Sequence, residues 1–205
     1  MTPANELIQV SASLLYWQAY DATVKADLFS TAIETSAGLL IVDPILLQPS
    51  CLERLISART IAGVFVTNVN HCRAAAAFAE KCAAPIFAHR ETCAACELPA
   101  ARTIANGEAF VANASAIEIQ GAPEGEMAIY HEQDGGALII GDALINFEPY
   151  GFAFLPPKYC VNAREMHRSL RHLLDYDFER ILFAHGTPLM HSARKKLERL
   201  LQTNE

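Results

Sequence analysis

Charge is scarce in this chain, and cations are scarcer than anions. Only 19% of its 205 residues are Asp, Glu, Lys or Arg, and 16 Lys plus Arg stand against 23 Asp plus Glu, for a formal charge of −7. Such a balance suits no phosphate-tracking protein, so a nucleic-acid partner is not expected. The one basic run, residues 194–196, falls in the last predicted helix, where cations complement the helix dipole. Long apolar runs are missing as well. The stretch 137–145 is interrupted by Gly141 and Asp142 and is far too short to span a bilayer, so no membrane segment is expected. No cationic stretch leads into an apolar one after Met1, which argues against a secretory signal. No Gly-x-Gly-x-x-Gly follows a predicted strand, which weakens any dinucleotide-binding reading.

Apolar residues are plentiful, at 52% of the chain, enough to bury a large core in one domain spanning 1–205. With no export signal, the six cysteines read as reduced thiols of a cytoplasmic protein. Cys93 and Cys96 form a C-x-x-C, but nothing around them is thioredoxin-like and no second C-x-x-C completes a zinc ribbon.

The first 45 residues read as strands at 6–10, 14–20 and 27–34, then a run at 39–42 that is apolar on both faces and ends at Asp43-Pro44. Strand–helix alternation follows: a helix opened by Pro49, a strand at 63–67, a helix at 71–82 with Asn70 as its N-cap, a strand at 85–88 and a short helix at 91–96. The second half repeats the order. Strands are predicted at 102–111, 116–119, 126–131 and 137–141, with a hairpin signal at Asp134-Gly135-Gly136. An apolar loop at 151–157 precedes a helix from Asn162, with Glu165 completing a capping box. A strand at 180–184 and a closing helix from Thr187 end the chain. Two halves that each supply a sheet and its covering helices predict an α/β (α+β) fold, a four-layer αββα sandwich.

The informative polar residues stand at three strand ends: Thr67-Asn68-Val69-Asn70-His71-Cys72-Arg73, Gly141-Asp142 and His185-Gly186. Strand C-termini are the default place for a site in such an architecture. Here the sequence resembles the metallo-β-lactamase-fold superfamily over almost its whole length. That family's Thr-His-x-His-x-Asp-His aligns with residues 67–73, its Gly-His-x-x-Gly-Glu with Gly121-Ala122-Pro123-Glu124-Gly125-Glu126, its bridging aspartate with Asp142 and its final histidine with His185. In active members these positions bind two ions, usually zinc or iron, that deliver hydroxide to an ester, amide, thioester or phosphodiester.

Five of the seven ligands implied by the resemblance are replaced, by Asn68, Asn70, Cys72, Arg73 and Ala122. Asparagine is a poor zinc ligand, alanine cannot ligate and arginine brings a cation into a cation site, so the two-metal arrangement is not present. What remains is a site for at most one zinc or iron ion, or for none. Asp142 and His185 are its catalytic residues, and Cys72, or His71 from one position off register, would complete it. On a helix that offset turns His71 by about 100°. Asn68, Asn70, Arg73, Ala122 and Asp43 are expected to line the pocket, with Asp43 bracing the site loops, as the resemblance implies, and Arg73 paired with Asp142. His89, His131, His167, His172 and His191 match no ligand position and read as solvated or packing residues. The resemblance implies a metal-dependent hydrolase acting on a small molecule. The alternative is a metal-free, non-catalytic relative that binds a ligand or serves in an assembly, with the apolar 151–157 segment suiting a homodimer.

Overall fold

A computed structural model describes residues 2–57, 59–98 and 101–203. The first half builds a seven-stranded sheet in sequence order: β1 (Ile8–Gln9), β2 (Leu14–Asp21), β3 (Ala26–Thr35), β4 (Gly38–Val42), β5 (Ile61–Val66), β6 (Ile86–Ala88) and β7 (Ala101–Thr103). Strands β1 to β4 pair antiparallel, whereas β4 to β7 run parallel. Parallel pairing needs crossovers, and α1 (Pro49–Ile56), α2 (Ala75–Cys82) and α3 (Arg90–Ala95) supply them. The second half forms β8 (Ala109–Val111), β9 (Ala114–Glu118), β10 (Met127–His131), β11 (Ala137–Ile140), β12 (Leu144–Phe147), β13 (Gly151–Phe154), α4 (Ala163–Leu170), β14 (Arg180–Phe183) and α5 (Ala193–Thr203). Five of those strands make a sheet in the order β14-β11-β10-β9-β8, and β12 and β13 make a separate hairpin.

Alternation along the strands divides the core into three layers of packing. In β4, Leu39 and Ile41 face α1 and α2, while Leu40 and Val42 face the other sheet. In β11, Leu138 and Ile140 face α4 and α5, while Ala137 and Ile139 meet Leu40 and Phe65 between the sheets. Strands β4 and β11, buried on both faces, are apolar on both, which gives the αββα order of layers.

Five expectations are corrected. Helix α2 begins at Ala75 rather than His71, and Ala74 rather than Asn70 occupies its N-cap. The Asn70 side chain is engaged elsewhere, so nothing propagates the helix through 71–73. The predicted strand 102–111 breaks into β7 and β8, which belong to different sheets. The apolar 151–157 segment is not a loop throughout: β13 pairs with β12 from Leu144↔Phe154 to Phe147↔Gly151. The closing helix starts at Ala193, because Leu189 instead exchanges backbone hydrogen bonds with Ile181. Finally, Cys72 and Cys96 are joined as a disulfide, leaving Cys51, Cys82, Cys93 and Cys160 as thiols. Cys96 thus pairs away from its C-x-x-C neighbour.

One surface clasp fastens the two sheets at the end away from the strand C-termini of β4 and β5. Asp134, in the β10–β11 turn at φ 55°, accepts hydrogen bonds from Ser11 Oγ, Ser13 N and Ser13 Oγ at 2.6, 2.8 and 2.7 Å. These bonds hold its carboxyl down at about 2. A depressed carboxylate contributes stability above its ordinary pKa, near 4, and loses it as pH falls through about 2. Asp134→Ala is expected to lower stability at pH 6 by about 1–2 kcal/mol, the low end for an exposed group. The gap between variant and parent in urea unfolding should narrow toward pH 2; a gap that is constant with pH would show that the carboxylate charge contributes nothing.

Candidate metal centre

The site forms where the two sheets touch at their strand ends. Thr67 O accepts from Met127 N at 2.8 Å, and Ala184 O accepts from Phe29 N at 3.0 Å, so the segments after β5 and β14 are sewn to the opposite sheet. Asp43, directly after β4, is buried and sits at φ 48°, a left-handed conformation that Asp tolerates better than most residues. Its carboxylate accepts Thr67 N at 2.8 Å, Thr67 Oγ1 at 2.6 Å and His71 Nδ1 at 2.9 Å. These bonds tie the end of β4 to the segment that follows β5.

The chain from Asn68 to His71 is a turn, closed by His71 N on Asn68 O at 3.1 Å. A turn does not obey the 100° step of a helix, and His71 folds inward to be 1% exposed. With Nδ1–H given to Asp43, the other nitrogen, Nε2, faces Asp142 Oδ1 at 3.2 Å and His185 Nε2 at 3.3 Å. His185 Nε2 lies 3.3 Å from the same Asp142 oxygen. His71, Asp142 and His185 are thus the one group among the described residues whose donor atoms cluster as metal ligands do.

The second oxygen of Asp142 is taken by amides. Oδ2 accepts Asn68 Nδ2 at 3.1 Å and Asn70 Nδ2 at 3.0 Å. Asn68 Nδ2 is also shared with Glu126 Oε2 at 2.5 Å, and Glu126 Oε1 accepts Ala143 N at 3.2 Å. Burial, and the Asp142 charge beside it, raise Glu126 to about 8, so that it carries a proton at neutral pH. Burial opposes charge on Asp142 also, but His71 and His185 outweigh it and hold the carboxyl well below the usual range. His71 is pushed up to about 9 against its own burial by Asp142 and Asp43, whereas burial lowers His185. The trio without an ion therefore carries one proton on His71.

The donor set fits a single ion. Bonds of about 2.0–2.1 Å in a tetrahedral zinc site separate neighbouring ligand atoms by about 3.3–3.4 Å. The three separations here are 3.2, 3.3 and 3.3 Å. Two histidines and one carboxylate are a common ligand set, and the Asp43–His71 bond is the carboxylate–histidine support that orients such ligands.

The remaining expected residues are dispersed. Cys72 turns away to Cys96 and to Val69 O, and it is not near the trio; adjacent residues leaving a turn point their side chains apart. Arg73 makes no ion pair with Asp142 among the described residues. Its Nη1 donates to Phe29 O at 2.9 Å, and its Nη2 lies 3.4 Å from His185 Nε2. Of the five residues expected to line the pocket, Asn70 alone faces the cleft over the trio. Asp43, Asn68 and Arg73 lie beneath it as supports, and Ala122 is core, packed with Ile117 and Leu170. Glu126 escaped sequence reasoning as a functional group, although an acid opening an otherwise apolar buried strand was the available signal. Of the other histidines, His131 is buried against Ser13 Oγ at 2.9 Å, a packing role.

Comparisons with known proteins bear on the fold and the family. A family model described as "Metallo-beta-lactamase superfamily" matches residues 10–204. No curated protein matches the chain. Among solved structures, a metallo-β-lactamase from Pontibacter korlensis is similar at 11% identity, with a TM-score of 0.74 over 98% of this chain and 99% of that one. A β-lactamase domain protein from Burkholderia ambifaria shares 16% identity at 0.72, over 98% and 77%. An archaeal superfamily protein from Sulfolobus tokodaii shares 12% at 0.72, over 94% and 86%. At such identities the structures speak for the fold, and the family model for descent. From β2 to α5 the chain is matched as one unit, and it belongs to the metallo-β-lactamase superfamily.

Proposed function

We propose that this chain is a hydrolase that works with one metal ion, held by His71, Asp142 and His185. The near-equilateral triangle of their donor atoms carries the reading, because three side chains from three separate strand ends meet at the spacing an ion would impose. A bound ion would polarise a carbonyl and ease the deprotonation of water. The chain's own residues do the rest. Asp43 fixes which His71 nitrogen faces the site, Asn68 and Asn70 fix which Asp142 oxygen does, and an apolar-walled cleft opens above them. The substrate is a small molecule. The two-metal arrangement of the family is reduced here to one position, since Asn68, Asn70, Cys72, Arg73 and Ala122 supply none of the ligands that would complete a second.

A metal-free binding protein is the second reading. It is favoured by the Arg73 guanidinium 3.4 Å from His185 Nε2 and by the proton that Asp142 and Asp43 hold on His71. Metal content per chain separates the two. Protein purified without chelator, then loaded with zinc or iron and analysed by plasma mass spectrometry, should hold close to one ion. If no loading condition gives a retained ion, the hydrolase reading fails and the binding reading stands.

A further inference from the structure

Resting on that reading, we infer that the substrate carries one apolar arm, medium-chain or aromatic, ending in a neutral or anionic tail. The floor of the cleft is polar and small: Asn70, Asp142 and His185. Above it the character changes abruptly. Ile145 and Phe147 from β12, Leu155 after β13, and Tyr150 between the two strands form one wall, with Tyr159 beyond them. Val24, from the β2–β3 turn, faces them.

Exposure makes these residues informative. Six large apolar side chains are exposed among the described residues, and three of them converge on this one cleft: Val24 at 58%, Tyr150 at 57% and Tyr159 at 58%. Apolar groups left in water and gathered over a polar floor mark a ligand site rather than unused surface. The cleft encloses about 530 Å³, within the range of small-molecule sites and far too small for a folded partner. Charge restricts the tail. Lys25 lines the cleft beside Val24, and Asp142, down at the floor, is the one acid among the lining residues. A cationic tail would meet Lys25 with no carboxylate to receive it, while a carboxylate tail would find a partner.

Hydrolysis of a series of S-acyl N-acetylcysteamine thioesters, from acetyl to octanoyl and phenylacetyl, tests this on metal-loaded protein. Water adds to the acyl carbon, the C–S bond breaks, and the thiol leaves with a proton. KM is expected to fall at least about tenfold from acetyl to octanoyl, since each buried methylene is worth up to about 0.8 kcal/mol. In Tyr150→Ala and Tyr159→Ala that ratio should shrink toward about two. An ω-carboxyoctanoyl thioester should be preferred over its ω-amino counterpart, and Lys25→Glu should invert the order. Turnover with KM flat along the series overturns the inference while leaving the hydrolase reading intact. If no metal is retained and no thioester is cleaved, that reading falls instead. The apolar arm is then judged by calorimetry alone: octanoate should bind at least about tenfold tighter than acetate, and equal or absent binding overturns it.

Discussion

Asp142→Ala is expected to take the metal content of the chain from close to one ion to none. Asp142 Oδ1 is the vertex shared by both histidine contacts, at 3.2 and 3.3 Å, so its loss leaves two imidazoles and no carboxylate. Zinc sites with four protein ligands bind with roughly 10–16 kcal/mol, or about 2.5–4 kcal/mol per ligand, and losing one costs about two to three orders of magnitude in affinity. The neighbours amplify the effect. Without Asp142, the Arg73 guanidinium would face an incoming ion with the carboxylate of Asp43 on the far side of the His71 imidazole. Folding should suffer less. Asn68 Nδ2 keeps Glu126 Oε2 as an acceptor, and Glu126 is relieved of a buried charge beside it, which offsets part of the cost of removing the acceptor of the half-buried Asn70 amide. Plasma mass spectrometry and a urea melt on the same preparation give both numbers. A variant that retains one tightly held ion would show that Asp142 is not a ligand.

The largest stability effect is expected at Asp43. Its buried carboxylate takes three hydrogen bonds, from Thr67 N, Thr67 Oγ1 and His71 Nδ1, and its carbonyl receives Ser30 Oγ at 2.7 Å. Alanine there would leave a buried amide and an imidazolium without their acceptor and would occupy a left-handed φ of 48° with a residue that resists it. Breaking a buried charged network by removing one partner costs about 3–5 kcal/mol. At about 2–4 °C per kcal/mol for a chain of this size, the melting temperature should drop by roughly 6–20 °C. Asparagine, which keeps an acceptor and tolerates the backbone, should recover part of that loss but not the orientation of His71. A drop of under about 3 °C for Asp43→Ala would mean that Thr67 and His71 are held by something else.

What the sequence disclosed followed from burial. Strands β4, β5, β11 and β14 were readable because a strand covered on both faces has to be apolar on both, and the layers follow from their order. The hairpin of β12 and β13 was not: its residues pair with each other and not with the large sheets, so its apolar residues carry no alternation that separates a strand from a loop. The site was legible as far as Asp142 and His185, which stand directly at strand ends. His71 stands one position off the family motif, and a helix starting there would turn it away by about 100°, whereas Asp43 and Asn68 capture residues 67–71 in a turn. No local pattern could show that. The Cys72–Cys96 pairing spans 24 positions and depends on where α3 packs, which is likewise invisible along the chain.

The two asparagines on Asp142 Oδ2 hold one acceptor between them, which makes their contributions interdependent. Oδ2 is the oxygen left over when Oδ1 faces the histidines, and Asn68 and Asn70 each fill one of its lone pairs. Histidine in place of either would withdraw one amide hydrogen without assembling a second set of ligands, since position 122 holds an alanine and position 73 an arginine. Residues that share a partner in this way couple by about 0.5–3 kcal/mol. Losing either amide would then weaken the hold of the other on Oδ2, so the two asparagines act as one latch, and exchanging both should cost less than the two single exchanges summed.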